Sequence, residues 1–243
     1  MNIIKLDATP STNDFLKALL TKQFVENFTV VTTENQTSGR GQMGSVWEVE
    51  SGKNLTFSVL VKDSLLEIHA IFHLNVLVAV SLSEVLEQLK IPYVAIKWPN
   101  DILADNKKIS GILIENSLKS DGEIISVVGI GLNVNQKNFD NLPKASSLSV
   151  ILNRELDKDA ILVAIVERLK CNIALLQNKE YDLFWSKYSQ KLFKKGVPMP
   201  FEDNVGVRFM GIIQGVTANG KLEVMLEDDS VKTFDIKEIQ MLY

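Results

Sequence analysis

Between Tyr93 and Asn135 four short apolar runs follow one another with only turns between them. "YVAIK" and "DILAD" flank the turn Trp98-Pro99-Asn100-Asp101, "KISGILIENS" follows "DNKK", and "EIISVVGIGLNVN" follows "KSDGE". Turns this short join antiparallel neighbours, since a parallel return needs a crossover of about a dozen residues or more. A stretch of antiparallel sheet is therefore expected here. Residues 3–6, "FTVVTTE" and "NLTFSVLVK" are rich in β-branched residues and read as further strands. "TPSTNDFLKALL" reads as a loop entering a helix, with Ser11 or Thr12 as N-cap and Phe15, Leu16, Leu19 and Leu20 on one face. Residues 67–90 contain no glycine or proline and predict a long buried helix, and "DKDAILVAIVERLKCNIALLQ" and "KEYDLFWSKYSQKL" predict two more.

The expected fold is thus α+β, a mixed and mostly antiparallel sheet flanked by helices. Composition changes after Leu192, where "KKGVPMPFEDN" concentrates glycine and proline. From Val205 to Tyr243 no helical period survives, and "VGVRFMGIIQGV", "KLEVMLED" and "VKTFDI" read as short strands. Two units are expected, residues 1–194 and 195–243. The second is too short for a core of its own and should be a small β-barrel docked on the first.

Several functions are excluded or disfavoured. The net charge of −4 argues against nucleic acid as the main partner, because phosphate neutralisation supplies most of that affinity. The single cysteine, Cys171, allows no disulfide framework or cysteine-based zinc site, and its helical segment suggests a packed, apolar thiol. "MNIIKLDATPSTNDF" lacks a signal-peptide profile, and "AIFHLNVLVAVSLSEVL" is interrupted by His73, Asn75 and serines, unlike a membrane span. A soluble, cytoplasmic protein is the expectation. His69 and His73 share a helix face, but Ala70 stands where a zinc protease needs glutamate, and there is no GxSxG elbow. With no evident nucleophile, any catalysis must come from positioning and charge.

Cation-bearing turns supply that charge. "NQTSGRGQMGSVWEV", residues 35–49, is neither a phosphate-binding Gly-Lys-Ser/Thr loop nor a GxGxxG fingerprint. Gly39, Gly41 and Gly44 let backbone N–H groups approach an anion, and Arg40 adds a bidentate fork; a hairpin loop with an incidental arginine is the plainer alternative. "KWPND" puts Lys97 at the end of an apolar strand, where Asn100 and Asp101 can serve the turn alone. Lys108 precedes another apolar strand, and Gly111 within it suggests close approach of a ligand or backbone. "VVGIGLNVN" ends a strand with two glycines and Asn133, without the helix a dinucleotide site requires.

In order, "STN", Gln36, "GRG…G…W", "KWPND", "KISGILIE" and "GIGLNVN" resemble the biotin protein ligase family from residue 6 to about 135. The β-rich tail is similar to that family's small C-terminal SH3-like barrel. No DNA-binding helix-turn-helix precedes "STN", so the chain resembles the ligase-only form. The resemblance implies ATP and Mg²⁺, formation of biotinyl-5′-AMP and pyrophosphate, and transfer of biotin to a lysine ε-amine on a biotin carboxyl carrier domain. It implies a biotin pocket of Ser11, Thr12, Asn13, Gln36, Arg40, Gly41, Gln42, Lys108 and Gly111. Lys108 and Arg40 would be the catalytic cations. Arg40, Trp47, Lys97, Asn100, Asp101 and Asn133 would serve ATP, with the metal ligands left open. Asn133 would read adenine, and the glycine loop would open without ligand and close with it. Many family members carry a second arginine at the position of Gln42, so some loss of adenylate retention is expected here. Lipoate or octanoate attachment on the same scaffold and a non-catalytic biotin-binding protein are the rival readings. The first lacks its motif set and the second has no need of Lys108 and Arg40. Either a monomer or a homodimer is open.

Overall fold

The structure, a computed structural model, describes residues 1–62, 71–119, 122–140 and 142–243 of the chain. The first unit begins with strand β1 (Ile3–Thr9), helix α1 (Thr12–Lys22), β2 (Val30–Gln36) and β3 (Leu55–Val61). Helix α2 (Phe72–Gln88) follows, then β4 (Val94–Lys97), β5 (Asp101–Ala104), β6 (Lys107–Leu118) and β7 (Ile124–Leu132). Helices α3 (Leu148–Leu152), α4 (Lys158–Gln177) and α5 (Tyr181–Lys191) complete it. The sheet order is β1-β2-β3-β7-β6-β5-β4. β1 and β2 run parallel, joined over α1, and the other ladders are antiparallel. The mixed, mostly antiparallel α+β fold is therefore as expected.

Ser11 is the α1 N-cap, its side chain accepting from Asp14 N at 3.3 Å. α1 covers one sheet face, where Leu16 packs with Val31, Leu60 and Val127. α2 and α4 cover the other face with Leu74, Leu77, Ile165 and Leu169. This explains β3: all seven of its residues are buried, since both faces of a central strand are roofed. β2 starts at Val30, two residues after the expected run, because Phe28 has φ 61° and belongs to a turn. The predicted helix 67–90 is found as α2, with residues 67–70, and so His69, outside the described residues. Cys171 requires a correction, for it is exposed rather than packed. The buried stripe of α4 runs through Ile165, Leu169, Ile173 and Leu176, and the 3.6-residue period leaves position 171 off it. His73 packs against Tyr181 and Trp185, and Trp185 Nε1 donates to its Nδ1 at 3.2 Å.

The tail forms β8 (Pro198–Asp203), β9 (Arg208–Val216), β10 (Leu222–Met225), β11 (Val231–Phe234) and β12 (Ile239–Met241), an antiparallel sheet of order β11-β10-β9-β8-β12. Phe201, Ile213, Leu222 and Val224 belong to the same contiguous core as α2 and α4. Two contacts dock the sheet. Trp98 Nε1 donates to Gly220 O at 2.8 Å, and Gly220, at φ +86°, leaves room for Phe72 where a Cβ would lie 2.4 Å from the ring. Among the described residues no helix is long and apolar enough to cross a membrane.

Candidate active site

The N-terminus of α1 meets the end of β2 and inner residues of β3, β6 and β7 in a buried polar cluster. Thr12 N donates to Gln36 Oε1 at 3.0 Å, and the Thr12 hydroxyl lies 3.3 Å from the same oxygen. The Ser58 hydroxyl donates toward Asn13 Oδ1 at 2.6 Å and lies 2.7 Å from Thr12 Oγ1. Asn13 Nδ2 donates to Glu115 Oε2 at 2.7 Å. Gly129 makes this possible, since a Cβ there would stand 2.5 Å from Asn13 Oδ1. Ser11, Thr12 and Asn13 are all buried, so a wall of hydroxyls and amides is pre-built rather than assembled on demand.

The glycine loop folds over this wall. Gly41 N donates to Ser45 O at 2.7 Å and Trp47 N to Gly39 O at 3.0 Å, which pins the loop as a hairpin. A Cβ on Gly39 would meet Trp47 O at 2.1 Å, so only glycine permits the closure. The Trp47 indole then lies on a floor of two cross-strand glycines, Gly111 and Gly131. Its Nε1 is buried without a hydrogen-bond partner, as is Gln42 Oε1. The Arg40 guanidinium lies 2.5 Å from Asp14 Oδ1 and 3.9 Å from Glu115 Oε1, and Lys17 bridges the same two carboxylates at 3.0 and 2.8 Å. Burial pushes the Asp14 carboxyl up, but Lys17 and Arg40 outweigh it and hold it below its ordinary value. Lys237 of the tail donates to Met43 O, tying the second sheet to the loop.

The third element is the β4–β5 hairpin, closed by the cis Trp98–Pro99 bond. Asn100 Nδ2 donates to Ile112 O at 2.7 Å while Ile112 N donates to Asn100 O at 2.9 Å, so this side chain fastens the turn to β6. Asp101 Oδ1 sits 2.7 Å from Lys108 Nζ and Oδ2 3.6 Å from Lys97 Nζ. Lys108 Nζ also lies 5.4 Å from the Trp47 ring centroid. Burial depresses the Lys97 amine; Asp101 opposes this, and Lys108 adds to it.

These elements enclose one cavity of about 580 Å³, on which Ser11, Thr12, Asn13, Gln36, Arg40, Gly41, Gln42, Trp47, Lys97, Asn100, Asp101, Lys108 and Gly111 all open. Asn133 stands apart. It does not line the cavity, and its Nδ2 donates to Ser146 O at 3.0 Å. Sequence reasoning missed the far wall. Lys144 lies there with Glu202, Asp203, Lys237, Met241 and Tyr243, and nothing in the local pattern marks them, because the docked tail brings all but Lys144 there.

The chain is similar to several known proteins. A bifunctional ligase/repressor of Bacillus spizizenii is 33% identical over 143 residues, which is 57% of this chain and only 43% of that protein's length. A biotin–[acetyl-CoA-carboxylase] ligase of Mycobacterium tuberculosis is 28% identical over 217 residues, 88% of this chain and 79% of the relative. A biotin protein ligase from Aquifex aeolicus, solved in complex with biotin and ATP, is similar with a TM-score of 0.81 and 28% identity, covering 99% of this chain and 98% of that one. Over residues 6–135, more than half its length, the sequence matches the biotin/lipoate A/B protein ligase family, and the chain belongs to that family.

Proposed function

We propose that the protein is a biotin protein ligase, which activates biotin with ATP and passes it to a lysine of a biotin carboxyl carrier domain. The observation that carries this is the opening of Arg40, Lys97 and Lys108 onto the same cavity as the buried Ser11–Asn13 wall. Its volume of about 580 Å³ is in the range that encloses a small organic ligand. The hydroxyls and amides of Ser11, Thr12, Asn13 and Gln36 suit a ureido group, which needs donors and acceptors packed in a small area.

In the first step a biotin carboxylate oxygen bonds to the α-phosphorus as the bond to the bridging oxygen breaks, and pyrophosphate leaves. Two anions must be held together, and Lys108 is the group placed to hold both. Arg40 would leave Asp14 for the adenylate phosphate, and Trp47 would wall the nucleotide. The unpartnered Trp47 Nε1 and Gln42 Oε1 are polar atoms that a ligand would satisfy. In the second step the acceptor amine attacks the activated carbonyl carbon, AMP leaves, and the amine's proton passes to phosphate or solvent. Loop closure by the glycine hairpin would shield the mixed anhydride from water. Asn133 is better suited to support than to contact. By binding Ser146 O it steadies a segment whose Ser146 N donates to Lys108 O at 3.0 Å.

Mg²⁺ would enter with the nucleotide. No group of three or more acidic, histidine or cysteine side chains forms a cage among the described residues, and Asp101 in the cavity wall fits a metal held mainly by phosphate oxygens. When bound, the metal would neutralise phosphate charge. We further take residues 1–194 as the catalytic domain and 195–243 as an SH3-like barrel, and the cytoplasm as the place of action. Incubation with biotin, ATP, Mg²⁺ and a carrier domain, followed by mass spectrometry, should show one biotinyl group on one carrier lysine. No modification, or modification only in a parallel incubation with lipoate in place of biotin, would overturn the assignment.

A further inference from the structure

The cavity extends beyond Lys108 toward a part of its wall with no role in the chemistry so far. Lys144 lies there, in the loop before α3, and the backbone fixes it: Lys108 N donates to Lys144 O at 2.7 Å. Its Nζ stands 4.5 Å from the centroid of the Tyr243 ring, and Lys97 Nζ stands 5.5 Å from the same centroid. Phe193 packs edge-on against that ring at 5.0 Å, which holds it as a platform for two ammonium groups. The charges do not balance. Among the described residues Lys144 makes no ion pair, and Asp101 alone faces both Lys97 and Lys108, at 3.6 and 2.7 Å. Burial, with Lys108 and Lys144 adding to it and Asp101 opposing, already depresses Lys97. The wall's other carboxylates are engaged elsewhere, Glu202 with Arg208 and Asp203 with the N–H groups of Val205 and Val207, so Lys97 and Lys108 sharing Asp101, with Lys144 beside Lys97 on the same ring, make a wall suited to a polyanion.

We propose that Lys144, carried on the Tyr243 ring beside Lys97, binds the pyrophosphate end of the nucleotide. This rests on the ligase reading. Lys108 marks the junction where the carboxylate meets the α-phosphorus, so amines beyond it face the β- and γ-phosphates. When the bond from the α-phosphorus to the bridging oxygen breaks, negative charge moves onto the departing pyrophosphate, where Lys97 and Lys144 wait for it. Lys144 is thus a further ATP-binding residue and Tyr243 a positioning residue acting through it.

The test separates the two half-reactions. Lys144→Met should raise the KM for ATP and weaken inhibition by pyrophosphate, each roughly tenfold, the worth of one charge-assisted contact. It should leave the KM for biotin, and transfer from supplied biotinyl-5′-AMP to the carrier, as in wild type. Lys144→Arg should restore most of the ATP affinity. Tyr243→Phe should behave as wild type, and Tyr243→Ala should raise the KM for ATP without changing transfer from the adenylate. Wild-type KM for ATP and pyrophosphate inhibition in Lys144→Met would overturn the inference, as would an equal loss in both half-reactions. If wild type forms no adenylate, the ligase reading fails on its own. Calorimetric titration of inorganic pyrophosphate into wild type and Lys144→Met then still decides the site, with weaker binding by the variant supporting it and equal binding refuting it.

Discussion

Gly131→Ala tests how closely the Trp47 loop sits on the sheet. A Cβ at Gly131 would lie 2.3, 2.5 and 2.6 Å from three indole atoms of Trp47, against ordinary contact beginning near 3.4 Å. The indole has to retreat by roughly 1 Å, and overpacking of this kind costs about 1–3 kcal/mol. Trp47 is carried on a hairpin loop and can lift, so most of that cost should appear when the loop closes on ligand rather than as lost fold stability. At about 1.4 kcal/mol per decade, biotin and ATP binding should weaken roughly five- to 100-fold. Gly111→Ala is the control. It sits opposite Gly131 in the ladder but brings a Cβ only to 3.3 Å from the same ring, so its effect should be small. Calorimetric affinities of the two variants, alone and with Trp47→Ala, form the assay. With the indole removed, Gly131→Ala should lose most of its effect. Equal affinities for wild type and Gly131→Ala, or an effect that survives Trp47→Ala, would refute the packing described here.

Gly220→Ala combines a left-handed φ of +86° with a Cβ 2.4 Å from Phe72. It should destabilise by about 2–4 kcal/mol in denaturant titration, and a loss below 1 kcal/mol would show that the tail is not docked through this contact. Gln42→Arg should slow release of biotinyl-5′-AMP measured by stopped flow, and an unchanged rate would remove the role given to loop charge. Against the push of burial, Lys17 and Arg40 hold the carboxyl of Asp14 below its ordinary value in the folded state. Its stabilisation is therefore fully present above that value and fades as pH falls toward the lower folded-state pKa. The pair is half exposed, so the effect is well under about 1 kcal/mol. Asp14→Asn should slightly flatten the fall of the thermal midpoint as pH drops below the ordinary carboxyl range, and an unchanged profile would show that the latch to Arg40 contributes nothing.

Strands β4 to β7 were legible because short turns leave consecutive apolar runs no choice but to pair with their neighbours. The glycine loop was legible as a close-approach turn beside Arg40, which the structure bears out at Gly39, where a Cβ would meet Trp47 O at 2.1 Å; the sequence alone left a plain hairpin open. Cys171 was misread because one cysteine in an apolar helix carries no phase information; the buried stripe is set by how α4 sits on α2. Asn133 shows the same limit. Polarity at a strand end marks a hydrogen-bonding residue, but whether the amide faces ligand or the neighbouring loop is decided by the path of residues 142–147. The far wall of the site was invisible locally. Lys237 and Tyr243 are 129 and 135 residues from Lys108 in the chain, and it is the Trp98–Gly220 contact that docks their sheet beside the cavity.

The most direct measurement is exchange of labelled pyrophosphate into ATP by wild type and Lys108→Met, with and without biotin. Three cation-bearing turns that converge to hold two anions predict exchange that requires biotin and falls by about 10²-fold or more without the Lys108 amine. Exchange that proceeds equally without biotin, or that persists at the wild-type rate in Lys108→Met, would contradict the account.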